Sequence, residues 1–258
     1  MEAMTRITFL GTGTSFGVPQ VGCHCRVCNS SDPRDRRLRC SALVQQDGCN
    51  ILVDCSPDFR EQMLRCGFDG RLDAVLITHE HYDHVGGIDD LRPFSYVHDL
   101  PVYADPYSCR HLRERLPYCL VENKYPGVPQ LQLHEIVGGG SVDVGGVRIT
   151  AIPVMHGKLP ILGYRIGDVG YVTDMTTMPD GGRALLKGIR LLVVNGLRHE
   201  PHPTHQTVEQ AVAFSRSLSP NLPTYIIHLS HHVGLHSVED ALLPAGIHLA
   251  YDGLVIDV

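Results

Sequence analysis

The chain has 258 residues, of which 43% are hydrophobic and 19% charged, and its formal net charge is -6. This composition is typical of a globular protein and excludes a disordered chain or a fibre. Because duplex binding needs a basic face, we do not expect an extended nucleic acid as a partner. No apolar run approaches the roughly 18 residues that cross a bilayer, and no signal peptide is visible. We therefore expect a cytoplasmic protein without a membrane partner.

Short apolar runs punctuated by Gly, Pro and Asp predict a strand-rich protein. The predicted strands are 7–10, 42–45, 50–53, 74–77, 131–136, 147–153, 162–166, 169–173, 191–195, 224–227 and 254–257. The length favours a single domain over residues 1–258, since α/β and all-β cores of this size commonly form one domain.

Helices are fewer, but three have clear start or stop signals. Ser56 is a suitable N-cap for a helix that Gly67 would end. A second helix is predicted over 108–116, where leucines recur four residues apart ahead of a proline. A third begins after Thr207, whose hydroxyl can form a capping box with Gln210.

A histidine cluster directly follows the predicted strand 74–77. Residues 79–84 read His-Glu-His-Tyr-Asp-His, which places three imidazoles and a carboxylate within six residues. A strand end projects such a loop from a rigid support. Imidazole with carboxylate suits zinc or another divalent transition metal, whereas calcium or magnesium alone would favour oxygen ligands. Gly86 and Gly87 then let the chain turn closely past a metal.

This segment resembles the H-x-H-x-D-H signature of the metallo-β-lactamase superfamily. The resemblance implies an α/β fold, an αββα sandwich of two mixed β-sheets flanked by helices, with the metals at one edge. Further ligands of that family follow later strands, as His156, Asp174 and His228 do here. The implied ligand sets are His79, His81 and His156 for one ion, and Asp83, His84 and His228 for the other, with Asp174 between them.

Two such ions, zinc or manganese, can generate hydroxide at neutral pH and stabilise a charged transition state. The resemblance therefore implies a hydrolase. Asp83 counts among the catalytic residues as well as the ligands, because its replacement by alanine is expected to abolish turnover. Asp54 follows the predicted strand 50–53, and by resemblance it would brace a metal ligand such as one of the first histidine pair.

A second cluster, which we call the knuckle, covers residues 22–28. Nine cysteines without a signal peptide favour metal ligands or buried thiols over disulfides. Cys23, Cys25 and Cys28 form a C-x-C-x-x-C motif. Three thiolates leave one corner of a tetrahedral zinc site open. His24, Cys40 or a distant histidine could fill that corner.

The knuckle, with Gly11-Thr-Gly13 before it and Arg36 and Arg37 after it, resembles the PhnP-type phosphodiesterases of phosphonate breakdown. The similarity spans about residues 7–252. It implies a structural zinc whose fourth ligand is a histidine three residues after the last active-site histidine. That position is His231, although His232 beside it is a rival.

The same group carries a proton-donating histidine on a loop ahead of a late helix. His205 matches this position best, and its near-neutral pKa suits a general acid. His199 and His202 are weaker candidates on the same loop.

The favoured function is a metal-dependent phosphodiesterase whose partner is a small phosphodiester substrate, including cyclic ones, and a homodimer is compatible with the sequence. A tRNA 3'-processing endonuclease shares the ligands, but it needs a long basic arm that is not visible between His84 and His156. Thioester or β-lactam hydrolysis ranks third. A non-catalytic zinc-binding module is the remaining alternative.

Overall fold

Fourteen strands among the described residues form two seven-stranded β-sheets. The computed structural model describes residues 4–96, 98–120 and 127–258. The strands are β1 (Thr5–Gly11), β2 (Ser41–Gln46), β3 (Cys49–Val53), β4 (Ala74–Leu76), β5 (Leu100–Ala104), β6 (Leu131–Glu135), β7 (Ser141–Val144), β8 (Val147–His156), β9 (Leu159–Ile166), β10 (Val169–Val172), β11 (Leu191–Asn195), β12 (Thr224–Ile227), β13 (Ile247–Leu249) and β14 (Val255–Asp257). The first sheet has the order β14-β1-β2-β3-β4-β5-β6, and the second has the order β13-β12-β11-β10-β9-β8-β7.

Helices lie between the strands in chain order. They are α1 (Phe59–Cys66), α2 (Tyr82–Val85), α3 (Pro106–Arg115), α4 (Pro117–Leu120), α5 (Asp180–Leu185), α6 (Val208–Leu218) and α7 (His236–Leu242), with 3-10 helices at Pro33–Asp35 and Ile88–Ser95. No helix of the described ranges is long and apolar enough to cross a membrane.

Three apolar clusters lie between the layers of the fold and form its core. One lies between the sheets and joins residues such as Ile51 of β3 to Tyr171 of β10. A second packs the outer face of the first sheet against α1 and α3, with Phe59 and Leu112 buried. The third packs α6 on the outer face of the second sheet, where Phe214 is buried. The layers are thus helix, sheet, sheet and helix, which confirms the predicted αββα sandwich.

Both sheets are mixed, as predicted. In the first, β1, β2 and β3 pair antiparallel and β3 to β6 pair parallel. In the second, β7 to β10 pair antiparallel and β10 to β13 pair parallel. All eleven predicted strands are present, but β5, β7 and β13 lie outside the predicted set. Pro101 within β5 lacks an N–H donor, so a local pattern does not identify this interior strand.

The helix starts differ from the predictions at two places. Ser56 does not cap α1, because the helix begins at Phe59 after a turn in which the Ser56 hydroxyl accepts from the Asp58 N–H at 3.1 Å. The second predicted helix, α3, has Asp105 as its N-cap and starts two residues before the predicted range. The capping box of Thr207 with Gln210 is confirmed.

Candidate functional site

The site lies where the carboxyl ends of strands from both sheets meet. The segment 79–84 follows β4 of the first sheet, while the second sheet supplies the end of β8, the residue after β12 and a residue two positions beyond β10. The sheets are joined here, because the Leu162 N–H donates to the Thr78 carbonyl at 3.0 Å. Distant parts of the chain therefore contribute polar side chains to one edge.

The predicted ligands converge into two neighbouring sets. The donor atoms of each set lie within 4.8 Å of one another. The first set is His79, His81 and His156, and the second is Asp83, His84, Asp174 and His228. The His79 Nε2 atom lies 3.0 Å from His81 Nδ1 in the first set. In the second set, His84 Nε2 lies 3.3 Å from an Asp83 oxygen, and His228 Nε2 lies 3.2 Å from an Asp174 oxygen.

Asp174 reaches both sets. Its Oδ2 atom lies 3.7 Å from His79 Nε2 and 3.6 Å from His84 Nε2. Ligand atoms about 2.0–2.2 Å from one metal stand roughly 3.3–3.5 Å apart in tetrahedral geometry. The separations in both sets are therefore close to those required by divalent ions, with one carboxylate between them.

Buried nitrogen atoms supply an independent test of this fit. His84 Nε2 and both ring nitrogens of His228 are buried without a hydrogen-bond partner among the described residues. Burying an unpaired imidazole nitrogen is unfavourable unless another partner binds it. The His84 and His228 Nε2 atoms both face carboxylate oxygens of the second set. These donors fit a metal centre better than a purely structural cluster.

Asp54 and Thr78 orient two of the histidines. The carboxylate of Asp54 is fully buried and accepts from the Nδ1–H of His84 at 2.7 Å. It also accepts from the hydroxyl of Thr78 at 2.9 Å, and that hydroxyl lies 3.0 Å from His79 Nδ1. Since the hydroxyl proton is donated to Asp54, the Thr78 oxygen accepts from His79. In their neutral forms both histidines therefore carry the proton on Nδ1, which leaves Nε2 available to a metal.

Asp54 contacts a candidate metal ligand, as expected, but this residue is His84 rather than a histidine of the first pair. It contacts His84 directly and reaches His79 only through Thr78. The pairing of β3 with β4 places Asp54 beside Thr78, and the Cys55 N–H, which donates to the His84 carbonyl at 2.8 Å, brings His84 to the same carboxylate.

The backbone is left-handed at three positions of this edge. Asp54, Asp174 and His228 have φ values of 58°, 55° and 58°. Such conformations are uncommon outside glycine and cluster at functional sites. Asp54 and His228 directly follow β3 and β12, and Asp174 lies two residues beyond β10, so the left-handed conformation occurs just past three strand ends at this edge.

The charges around the site keep the carboxylates of Asp83 and Asp174 ionised. Burial by itself raises the pKa of Asp174, but the His228 and His84 rings reverse this effect and leave that pKa well below its usual value. The pKa of Asp83 is also lowered, since His84 and His228 outweigh burial. The ionised form is the one that binds a metal.

His205 is the candidate general acid that the structure brings to the centre. Its ring centroid lies 4.7 Å from that of His156 and 4.8 Å from that of His228. Its Nδ1 atom lies 4.0 Å from Asp174 and has no hydrogen-bond partner. The adjacent Thr204 carbonyl, 2.9 Å from His156 Nδ1, holds this loop against the ligands.

The rivals of His205 lie further out. His199 is held at 2.5 Å by a Glu209 oxygen and at 3.3 Å by Glu239, between α6 and α7. The His202 ring contacts that of His205 in a tilted arrangement, with 5.0 Å between ring centroids. Neither contacts the two donor sets, so the arrangement favours His205.

The knuckle forms a four-donor cluster with His231. The Nδ1 atom of His231 lies 3.4 Å from the Cys23 thiol and 3.2 Å from the Cys25 thiol, and Cys28 completes the set. Tetrahedral zinc holds sulfur and nitrogen ligands about 3.5 Å apart. The Cys28 N–H and the His231 ring lower the pKa of Cys25 to about 6, which favours the thiolate.

The other candidates for the fourth corner lie elsewhere. His232 is exposed, and neither it nor His24 belongs to the cluster. Cys40 is buried near the metal sets, where burial raises the pKa of its thiol well above the usual value. The structure thus brings His231, of the four, to the three thiols.

A buried polar network fixes the segment after the knuckle to the end of the chain. The Arg37 guanidinium donates to the Thr12 hydroxyl at 2.8 Å and lies 3.1 Å from His236 Nδ1. The His236 N–H donates to Asp35 at 2.7 Å. Asp252 accepts from the Thr12 and Leu38 N–H groups at 2.9 and 2.6 Å.

Comparison with known proteins identifies the family of this chain. A model of the Beta-lactamase superfamily domain matches residues 49–229. The chain belongs to the metallo-β-lactamase superfamily. Among solved structures of this superfamily, a diphosphatase from the PhnP family is 40% identical with a TM-score of 0.91, over 99% of this chain and 97% of that one.

Two further relatives widen the comparison. A Porphyromonas gingivalis (strain ATCC BAA-308 / W83) protein named octanoyltransferase is 49% identical over 250 residues, which are 96% of this chain and 51% of that protein. This chain therefore spans about half the length of that curated relative. Human tRNase Z, short form, is 19% identical with a TM-score of 0.72, over 97% of this chain and 98% of that one. That likeness shows the shared superfamily fold alone.

Sequence reasoning missed the supporting residues of this superfamily site. Thr78 directly precedes the histidine cluster, so its place in the chain was the available signal. Thr173 donates to Asp174 at 2.8 Å and likewise precedes the residue it supports. Thr204 acts through its carbonyl, which no side-chain pattern reveals.

Proposed function

We propose that this protein is a metal-dependent phosphodiesterase that hydrolyses small phosphodiesters, including cyclic ones. The observation that carries the proposal is the position of Asp174, whose one oxygen stands 3.7 and 3.6 Å from histidines of the two donor sets. A shared carboxylate of this kind suits a two-metal site for in-line displacement at phosphorus. The 40% identical diphosphatase supports phosphorus chemistry of this class.

Zinc or manganese ions bound by the two sets would supply an activated water and neutralise charge on the phosphate oxygens. His79, His81 and His156 would hold one ion, and Asp83, His84 and His228 the other, with Asp174 between them. Asp54 and Thr78 keep His84 and His79 in the tautomers that leave Nε2 free.

His205 is proposed to donate a proton to the leaving oxygen. Burial and the neighbouring His228 lower its pKa to about 3, so the substrate-free ring is neutral at pH 7. A phosphodiester anion bound beside the ring would raise that pKa, because a nearby negative charge favours the imidazolium. This lowered pKa differs from the near-neutral value expected from sequence, so proton donation requires that bound substrate raise it; the proton would then leave with the departing alkoxide.

The knuckle is proposed to hold one structural zinc. It joins residues 23–28 to His231, which lies three residues beyond His228 on the same loop. This zinc would therefore fix the loop that carries a ligand of the metal centre.

Acyl thioester hydrolysis is the second candidate function. The 49% identical relative named octanoyltransferase favours it, although this chain matches only half of that protein. A dinuclear site can polarise a carbonyl as well as a phosphoryl oxygen. Substrate selection rather than the ligand set would distinguish the two reactions.

The test is turnover of bis-p-nitrophenyl phosphate by the metal-loaded protein, with octanoyl p-nitrothiophenol as the competing thioester. We expect the phosphodiester to be hydrolysed and Asp83→Ala to abolish this turnover. Absence of a chelator-sensitive phosphodiesterase reaction would refute the proposal, and thioester turnover alone would favour the second candidate.

His205→Ala separates proton donation from metal binding. We expect it to lower turnover by roughly 10²–10⁴-fold with unchanged metal content. Loss of metal would instead identify His205 as a ligand. This is the main alternative, because the Nδ1 atom of His205 lies 4.0 Å from Asp174. His199→Ala is the matched control, because His199 is engaged with Glu209 away from the centre.

A further inference from the structure

An apolar cavity of ≈ 510 Å³ opens at the same edge of the sandwich as the metal centre. Its walls come from the β8–β9 hairpin, the start of α3 and the turn after β6. Its lining residues include Asp105, Tyr107, Val137, Met155, Leu159 and Leu162. The proposed phosphodiesterase chemistry does not use this cavity.

The cavity walls adjoin the segments that carry His79 and His156, although the described lining residues include no ligand of either set. Met155 directly precedes His156, and Leu159 is the pairing partner of His156 across the hairpin. On the other side, Leu162 donates its N–H to the carbonyl of Thr78, the residue before His79. A substituent on a substrate at the metal centre could therefore extend into this space.

The side chains of the walls favour an apolar occupant. Of the thirteen lining residues, only Asp105 and Tyr107 carry oxygen on the side chain, and none is basic. The Asp105 carboxylate is occupied, because it accepts from the N–H groups of Tyr107 and Ser108 at 2.9 and 3.2 Å. A nucleobase here would leave its donors and acceptors unpaired, which is costly. A hydrocarbon chain loses no hydrogen bond.

Exposed apolar side chains at the rim of the cavity also favour an apolar ligand. Val137 is 61% exposed and Tyr107 is 40% exposed, both at the cavity. Apolar groups that remain exposed together beside a concave surface are typical of ligand-binding grooves.

We propose that this cavity is a subsite for a linear hydrocarbon chain of the substrate, which makes the substrate class a phosphodiester with an alkyl or acyl chain on one ester oxygen. The inference rests on the proposed phosphodiesterase function. The phosphate lies at the two donor sets, and the chain runs along Met155 and Leu159 into the cavity. Water adds to phosphorus, the other ester bond breaks, and its oxygen leaves with a proton.

A chain-length series tests the subsite directly. The probes are the p-nitrophenyl esters of methyl, butyl and octyl phosphate, which yield p-nitrophenol and the alkyl phosphate. Burying one methylene corresponds to about 0.8 kcal/mol, or about fourfold. We therefore expect kcat/KM to rise by up to fourfold for each methylene until the cavity is full.

Two variants of matched exposure link the trend to the cavity. Val137→Asp places a charge at the rim, whereas Leu64→Asp places one on α1, and the native side chains are 61% and 62% exposed. We expect Val137→Asp to lower the octyl-to-methyl ratio of kcat/KM by about fourfold for each methylene no longer buried. Leu64→Asp should leave that ratio unchanged.

The outcomes separate this inference from the function on which it rests. Hydrolysis of all three esters with a flat chain-length series would overturn the subsite and leave the phosphodiesterase intact. If none is hydrolysed, the function fails, and calorimetry with octyl and methyl phosphate still decides the subsite. Tighter binding of octyl phosphate that Val137→Asp weakens would support it, and equal binding of the two phosphates would overturn it.

Discussion

Replacing Asp54 by asparagine should weaken metal binding without touching a ligand. The Asp54 carboxylate accepts from the Nδ1–H of His84 at 2.7 Å and from the Thr78 N–H at 2.8 Å. Asparagine can keep the bond to the Thr78 N–H with its oxygen, but it then directs an NH₂ group at His84. His84 Nδ1 must become the acceptor, so the ring proton moves to Nε2. That atom faces Asp83 and Asp174 and is the one required by a metal.

The expected loss of metal affinity in Asp54→Asn differs between the two donor sets. Residues that support metal-bound histidines typically change metal affinity by about 10–100-fold. His84 should lose its metal-binding tautomer outright, so the set with Asp83 and His228 should weaken toward 100-fold. The set with His79 should weaken less, because Asp54 reaches it only through the Thr78 hydroxyl.

The assay is competition for zinc against a chromophoric chelator, with metal content per chain as the second readout. Asp58→Asn is the matched control, since Asp58 also accepts two hydrogen bonds, both from Arg39, away from the centre. Equal zinc affinity of Asp54→Asn and the native chain, with the fold retained, would refute the tautomer argument. Equal weakening of both sets would contradict the indirect path to His79.

Three further predictions concern the rest of the molecule. Cys25→Ser should remove one zinc per chain and lower the melting temperature, whereas Cys66→Ser should not; an unchanged zinc count would exclude the knuckle site. Burial and Arg37 lower the pKa of His236 to about 4, so the unfolded chain alone gains this proton as pH falls from about 6.5 to 4, and stability should drop by up to about 3 kcal/mol. Urea unfolding at several pH values in that range should show that the unfolding free energy of His236→Gln depends less steeply on pH than that of the native chain. An identical pH dependence of the two proteins would contradict this assignment to His236. Tyr164→Phe removes a buried hydroxyl that donates to the Ile77 carbonyl at 2.7 Å, which should cost about 1 kcal/mol of unfolding free energy; no measurable change would refute that value.

The fold and the two donor sets could be predicted from sequence because strand ends carry the signal. An apolar strand followed at once by polar ligands marks a sheet edge, and this pattern recurs at His79, His156 and His228. The predicted αββα sandwich is confirmed by the two seven-stranded sheets and by the superfamily match.

Other features depend on contacts between distant segments. The bond of Asp54 to His84 depends on the packing of α2 against the residue after Asp54, where the Cys55 N–H donates to the His84 carbonyl, and local sequence does not specify this contact. The choice of His205 among three histidines depends on the path of its loop, which Thr204 holds against His156. The choice of His231 over its neighbour likewise depends on which ring the loop turns toward Cys23 and Cys25.

The left-handed backbone at Asp54, Asp174 and His228 has a consequence for engineering. Each such residue costs on the order of 1–3 kcal/mol, and glycine would relieve that cost. Glycine at Asp54 or Asp174 would orphan buried hydrogen-bond donors, whereas the His228 ring nitrogens have no hydrogen-bond partner among the described residues. A library selected for thermal stability in the presence of chelator should therefore accumulate glycine at His228 first. Selection with metal present should retain all three side chains, since binding to the folded chain alone stabilises it. The conditions of a stability screen would thus decide whether the site survives it.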